Sequence, residues 1–481
     1  MMLALSALIP ILGGGALMFL RFKKRLYRMV YVEIITILTS VCVFLALSAP
    51  NEGVFEAFRI SESFICAFSM DGAGRVFIAV AAFLWPFATL YAIEYMAHEK
   101  REGMFFACYT MAYGITILLA ASANLFTMYI FYECLTLITV PLVGHGQDKE
   151  SFRATRAYMV YLIGGASIAF AGMIIINLNS GSPFQLGGIF GEGARENLPL
   201  RLAHGLAFFG FAAKAALFPL CRWLPKASVA PTPVTALLHA VAVVNAGVFS
   251  VLRVTYYVFG AEFMRGTYIQ TILILLSAFT VVYGSVRALR ETHFKRRLAW
   301  STVSNLSYML IGVSLMSESG MTGTLLHMAF HALMKIVLFF TAGAVLVKTE
   351  RTQIYELRGL AKRMPITFFC YMVAGLALVG VPPLMGFFSK YQLIVSALSE
   401  SGWMFIVAAV SLIISAVLTA VYIFSVAVTA YYGKADASLP EGNLDPGLPM
   451  RIVLISLSIA IVIVSLLSGR IIDAIASIAK M

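Results

Sequence analysis

An all-α polytopic membrane protein with about fourteen transmembrane helices is what this sequence predicts, on three observations. Hydrophobic residues fill 60% of the 481 positions and charged residues 12%, where an ordinary soluble domain carries about 25% charge. Apolar runs close to the ~20 residues that a bilayer requires recur along the whole chain. The loops between them alternate between basic and base-poor, as expected when positive loops stay inside. Topology thus accounts for the net charge of +12 better than nucleic-acid binding does.

The expected spans are 2–20, 30–49, 74–97, 103–121, 124–145, 157–178, 202–221, 232–257, 268–288, 298–316, 322–347, 366–397, 403–432 and 450–469. The first run, from Leu3 to Leu20, has no basic segment before it and no A-x-A site, so it reads as a retained helix, not a signal peptide. Its Gly13-Gly14-Gly15 run lies inside that helix and signals packing, not a phosphate loop. The basic loops carry Arg21, Lys23, Lys24, Arg25 and Arg28, then Lys100 and Arg101, then Lys149, Arg153 and Arg156. Arg222 and Lys226, the 287–297 cluster and the 348–363 cluster continue the series. The alternate loops, such as PNEGVFEAFRISES and NSGSPFQLGGIFGEG, are poor in base. This alternation places both termini outside and the basic loops in the cytoplasm. The longest polar stretches lie near 180–200 and 433–450, and the tail RIIDAIASIAKM either continues the last helix or lies at the interface.

The cysteines Cys42, Cys66, Cys108, Cys134, Cys221 and Cys370 are scattered, with no C-x-x-C. They support neither a disulfide framework nor an iron–sulfur cluster. No cofactor-binding pattern is present, so a self-contained redox enzyme is disfavoured.

Chemistry is signalled by charges placed inside apolar spans, where each costs at least ~2.5–3.5 kcal/mol. Glu133 lies well inside NLFTMYIFYECLTLITVPLVG. Lys214 lies in GLAFFGFAAKAALFPL just before a proline-rich stretch, and Lys390 follows VPPLMGFFS. A proline break frees backbone groups that lipid cannot satisfy, and one such break in each half is the usual sequence sign of a midplane ion path. Glu133 and Lys214 together form a candidate acid–base switch, and Lys390 a candidate exit station. The alternative for Glu133 and Lys214 is a fixed structural charge, and for Lys390 an interfacial lysine after a re-entrant segment. His239 follows PTPVTALL and could relay protons, or simply bond across helices; Asn245, six residues on, can hold water but cannot titrate. His327, His331 and Lys335 form H-x3-H-x3-K, which puts all three near one helix face over about 12 Å of axis. Zinc is the rival reading, but no Glu, Asp or Cys nearby on that helix completes a site. Asp71, Glu94 and Arg253 are expected near span ends.

At these residues the chain resembles a known family. KAALFPLCRWLPKASVAPTPVTALLHAVAVVNAG is similar to the signature of the antiporter-like membrane subunits of respiratory complex I (NADH:quinone oxidoreductase). The same signature occurs in Mrp-type cation/proton antiporters and membrane-bound energy-converting hydrogenases. RALRETHFKRRLAWSTVSNLSYMLIG, LLHMAFHALMKIVLFFTAGAV and LVGVPPLMGFFSKYQ extend the resemblance over roughly residues 70–430. It implies two inverted five-helix repeats, each with one broken helix, and a hydrated charged axis at the midplane. The implied divisions are 1–102 for N-terminal helices, 103–257 and 258–432 for the repeats, and 433–481 for a cytoplasmic loop and last helix. Glu133, Lys214 and Lys390 match the family's principal charges; His239, His327, His331 and Lys335 match the linking groups. The resemblance also implies further membrane subunits as partners, H+ or Na+ as the cargo, a prokaryotic-type inner membrane, and redox chemistry, if any, in other subunits. The chain departs from the pattern at Asn245, where many members carry lysine. It departs again at Glu291 and His293, where glutamine and aspartate are usual, and no long lateral C-terminal helix is expected.

Overall fold

The computed structural model describes residues 2–49, 53–61, 64–433 and 442–480. Residues 434–441 of the expected polar stretch, and Met481, lie outside the described residues. The chain is mostly helical, and among the described residues ten helices are long and apolar enough to cross a membrane.

The N-terminal group is α1 (Met2–Ala16), α2 (Arg25–Ser48) and α3 (Gly72–Tyr95). The loop before α3 departs from the all-helical expectation: β1 (Phe55–Ser61) and β2 (Phe64–Phe68) form an antiparallel hairpin. Its inner strand is held by side chains at the start of the fifth helix. Thr127 Oγ1 accepts from Ala67 N at 2.9 Å, and Asn124 Nδ2 donates to the Ile65 carbonyl at 2.8 Å. An isolated hairpin is marginal in water, so such docking is what stabilises it.

Next come α4 (Glu102–Ala120), α5 (Leu125–Val143), α6 (Lys149–Asn179) and α7 (Leu198–Phe211). Short polar side chains start most of these helices: Asn124 accepts from Thr127 N, Asp148 from Ser151 N and Asn197 from Leu200 N. Each such cap is worth about 1 kcal/mol. Glu102 ties α4 to α2 by accepting from Arg25 and Arg28.

The run expected at 202–221 is not one helix. α7 ends at Phe211, irregular turns follow, and the chain resumes as α8 (Trp223–Ala227). The next span, 232–259, is α9 (Thr232–Ala236) and α10 (Val243–Leu252), separated and followed by π-helical turns at Leu237–Val241 and Arg253–Phe259. The loop near 180–200 covers its end: Gln185, Gly187 and Ile189 donate to the carbonyls of Tyr257, Tyr256 and Val258. After the one-turn α11 (Ala261–Met264) come α12 (Tyr268–Arg290), α13 (Phe294–Ser314) and α14 (Glu318–Thr349).

α13 is too polar to qualify as a span by composition, yet every residue in it except Arg296 is buried. Its serine and threonine hydroxyls bond carbonyls of their own helix or, for Ser304, the Ser285 and Ser415 hydroxyls, so lipid does not have to tolerate them. α14 is the hub. It packs on α3, α9, α13, α15 (Pro365–Val379), α16 (Met385–Leu398), α18 (Leu448–Leu466) and α19 (Ser468–Ala479). α15 and α16 are the second interrupted helix, and α17 (Trp403–Tyr431) packs on α12. The tail does not continue α18. It turns at Leu467, and α19 packs on α14 and α3, with Ile478 against Gly72.

Asp71, Glu94 and Arg253 all have structural partners. Arg253 is fully buried, pairs with Asp71 (Nη2–Oδ1 2.8 Å) and is enclosed by the rings of Phe184, Phe249 and Tyr257. Glu94 accepts from Gly447 N at 2.6 Å and Met450 N at 3.1 Å, capping α18.

Candidate functional site

The first interruption is built to hold a lysine. Ala216 takes a left-handed conformation (φ 54°), Trp223 Nε1 donates to the Ala213 carbonyl at 2.9 Å, and Phe218 N donates to Thr280 Oγ1 at 3.2 Å. These bonds satisfy backbone that no longer belongs to a helix. Gly247 of α10 lies against the Lys214 backbone, where a side chain would collide. Lys214 is therefore on the unwound segment itself and fully enclosed. Its Nζ donates to the Tyr132 carbonyl and sits 3.3 Å from the Tyr132 ring centroid, a cation–π contact.

Glu133 is the next residue along. It is half-buried, and its Oε1 is enclosed without a hydrogen-bond partner. Its charge acts on Lys214, yet no ion pair within 4 Å joins them. The two are poised side by side and not bonded.

The remaining bases gather around α14. His239 is fully buried in the π turn, its ring 4.9 Å from Phe339 and both ring nitrogens without partners. His331 is likewise buried with neither nitrogen bonded. His327 stands 6.0 Å away, ring to ring, bonds Ser389 Oγ through Nδ1 at 2.9 Å and stacks on Tyr308. Lys335 Nζ donates to the Leu298 carbonyl at 3.0 Å and to Ser301 Oγ. Lys390 lies one turn into α16, and its Nζ donates to the carbonyls of Leu378 at 2.6 Å and Val379 at 3.2 Å. Those carbonyls are left free by the end of α15, the negative end of a helix dipole. Lys335 and Lys390 both act electrostatically on His331.

The expected residues thus fall into two groups. Glu133 and Lys214 form one; His239, His331, His327, Lys335 and Lys390 form the other. No hydrogen bond joins Lys214 to any of these histidines; its Nζ is held by Tyr132. Asn245 is on the helix between the groups, two residues from Gly247. Its Nδ2 donates to the Ala240 carbonyl beside His239 at 2.9 Å, and its Oδ1 is buried without a partner.

Lys295 is a buried base that the sequence reading counted only as a loop charge. It is 6% exposed, donates to the Ala230 carbonyl at 2.8 Å and acts electrostatically on His239. The signal that could have found it is its position at the start of a polar helix facing the P-T-P segment. Glu33 is another, an acid inside α2 with an enclosed, unbonded Oε2. Of the two departures, Glu291 lies 3.4 Å from Arg296. His293 precedes α13, where burial and the neighbouring Arg296 and Lys295 pull its pKa down to about 4. Among the described residues no group of three or more His, Cys, Asp or Glu gathers as a metal site.

A sequence family described as NADH:quinone oxidoreductase/Mrp antiporter, transmembrane, matches residues 122–419. The chain is 30% identical over 413 residues to an NADH-quinone oxidoreductase subunit N of Desulforudis audaxviator, covering 82% of this chain and 81% of that one. It is 28% identical over 456 residues to an NADH-quinone oxidoreductase subunit L of Escherichia coli, covering 90% and 72%. A probable K(+)/H(+) antiporter subunit of Rhizobium meliloti is 31% identical over 413 residues, 83% of this chain and 40% of that one. In fold this chain is similar to a chain of the Mrp complex from Dietzia sp., with a TM-score of 0.86, 21% identity and coverage of 99% of this chain and 96% of that one. A chain of an archaeal membrane-bound sulfane sulfur reductase is as near, with a TM-score of 0.85, 22% identity and coverage of 99% and 97%.

Proposed function

The chain belongs to the NADH:quinone oxidoreductase/Mrp antiporter transmembrane family, and from that premise we propose that it translocates protons, or sodium ions, as one membrane subunit of a larger assembly. The observation that carries this reading is the set of buried or half-buried ionisable groups, Glu133, Lys214, His239, His331, His327, Lys335 and Lys390, in two groups with Asn245 on the helix between them. Several of their polar atoms have no protein partner. Each would cost about 1–3 kcal/mol if left dry, which favours water along the row. In this reading Glu133 and Lys214 are the switch: approach stabilises both charges, and separation drives the lysine to release its proton. His239 and the α14 face carry protons to Lys390. Redox chemistry, where it drives the movement, belongs to partner subunits.

A second reading, a component of a secondary cation/proton antiporter without redox chemistry, is favoured by one observation. Asn245 is neutral where many members carry lysine, as in the branch shared by the large Mrp subunit and the distal complex I subunit.

The finer architecture goes with this reading. Ten long helices, together with α1, α13 and the two interrupted helices, make fourteen crossings. α4 to α10 and α12 to α17 form two inverted repeats, close to 103–257 and 258–432, with 1–102 and 433–481 as flanking pieces. Both termini are outside. A cysteine at Gln185 then labels in intact cells and one at Glu291 only after permeabilisation, and the opposite pattern overturns the orientation.

The functional test is gentle isolation of the assembly from membranes, identification of the chains that co-purify, and reconstitution into closed vesicles. Proton or sodium movement supports the proposal, with redox partners or antiporter partners separating the two readings. An assembly that moves neither ion contradicts it.

A further inference from the structure

At the end of the molecule that carries the basic loops, a cavity of about 580 Å³ opens between the start of α6, α8, the end of α12 and the start of α13. It takes no part in the row of buried bases. Five cations line it: Arg153, Arg222, Lys226, Arg287 and Arg296, against the carboxylates of Glu150 and Glu291. Only Arg296 has a carboxylate within 4 Å; among the described residues the other four cations have none. Arg287 lies 4.9 Å over the ring of Trp300, which forms the floor with Tyr283. Unpaired guanidinium groups around an aromatic floor suit a phosphate diester, whose oxygens take paired N–H donors.

The cavity does not end in solvent on every side. Tyr283 stacks on Phe279 at 5.8 Å, and Phe218 meets both rings at 5.5 and 4.9 Å. Phe279 is 51% exposed, and Ile272, two turns further along α12, is 57% exposed. An aromatic and apolar seam therefore runs from the cationic cavity along the outside of a membrane-crossing helix, where hydrocarbon chains lie.

We propose that this cavity binds the headgroup of an anionic phospholipid, with an acyl chain laid along the seam of Tyr283, Phe279 and Phe218. Basic pockets between helices at the cytoplasmic face commonly take such headgroups. A free phosphate uses the cations but leaves the seam unfilled, whereas a phospholipid uses both. The headgroup bridges the two halves of the chain. α8 follows the interruption that holds Lys214, and α13 supplies the Leu298 carbonyl and Ser301 hydroxyl that hold Lys335. A bound lipid thus fixes the spacing between the two groups of buried bases.

The test is native mass spectrometry of the full chain in neutral detergent, supplied with phosphatidylglycerol or phosphatidylcholine. Phosphatidylglycerol is retained preferentially, and millimolar inorganic phosphate does not displace it. R222Q/R287Q weakens retention about tenfold or more, while R222K/R287K, which keeps the charges but not the paired N–H donors, falls between that variant and the unaltered chain. Equal retention of the two lipids, or undiminished retention by R222Q/R287Q, overturns the proposal. Displacement by inorganic phosphate does so as well, by assigning the cavity to a soluble anion. Should R222Q/R287Q fail to fold, the two-lipid comparison and the phosphate challenge on the unaltered chain still decide.

Discussion

Lys214 and Lys390 each lie at a helix interruption, yet their surroundings differ. Each has backbone carbonyl oxygen at Nζ and a buried tyrosine ring nearby, Tyr132 at 3.3 Å and Tyr308 at 5.3 Å. Lys214 also has a carboxylate beside it, whereas Lys390 has only the carbonyls at the end of α15, and His327 for company. Carbonyl dipoles are fixed. A carboxylate on another helix can come closer or move away, and its full charge then changes the energy of the ammonium. The first interruption thus suits the proposed switch, and the second the proposed holding and release.

The strongest way to break that comparison is to remove the switch. Lys214→Met is expected to abolish ion movement in reconstituted vesicles while the assembly still purifies intact, and Glu133→Gln to remove most of it. Normal movement in either variant would make the pair a fixed structural charge. At the second interruption the charge alone should not suffice. Lys390→Arg keeps a cation but cannot deprotonate, so it is expected to assemble normally and translocate poorly, much as Lys390→Ala does. Wild-type rates in the arginine variant would leave Lys390 an anchor for the α15 carbonyls and nothing more. The tyrosines sharpen the contrast at smaller scale. A cation–π contact is worth about 0.5–2 kcal/mol and weakens with distance. Tyr132→Leu is therefore expected to slow translocation about tenfold and Tyr308→Leu about twofold, read as initial rates at fixed driving force. Equal effects would mean that the rings act through packing.

Much of this was legible in the sequence because a charge in an apolar run has few explanations. Glu133, Lys214, His331 and Lys335 stand out against their spans, and the structure places all four in the interior or at its edge. The proline breaks were legible for the same reason. Local pattern could not say that Lys214 sits on unwound chain while Lys390 sits inside a helix, since both follow similar small and apolar residues. Lys295 was missed because it stands in RETHFKRR, where six ionisable side chains look like a solvated loop. Its burial depends on the start of α13 packing against the P-T-P segment, a contact between residues 65 apart. The β1–β2 pair was also missed, because the side chains that dock β2, Asn124 and Thr127, lie far along the sequence. The separation of the bases into two groups, with Asn245 between, is a property of helix packing alone.

The central claim is that the enclosed bases act as one path. His331 tests it most directly, because it stands in the middle of the α14 row, binds no protein group through either nitrogen and touches neither interruption's lysine by a hydrogen bond. Ion movement should be measured in closed vesicles carrying the assembled complex with His331→Leu, a change that keeps volume and removes the titratable ring. An intact assembly that moves few or no ions is expected. Translocation at the unaltered rate would contradict the claim, and would mean that the bases of the two halves serve separate routes.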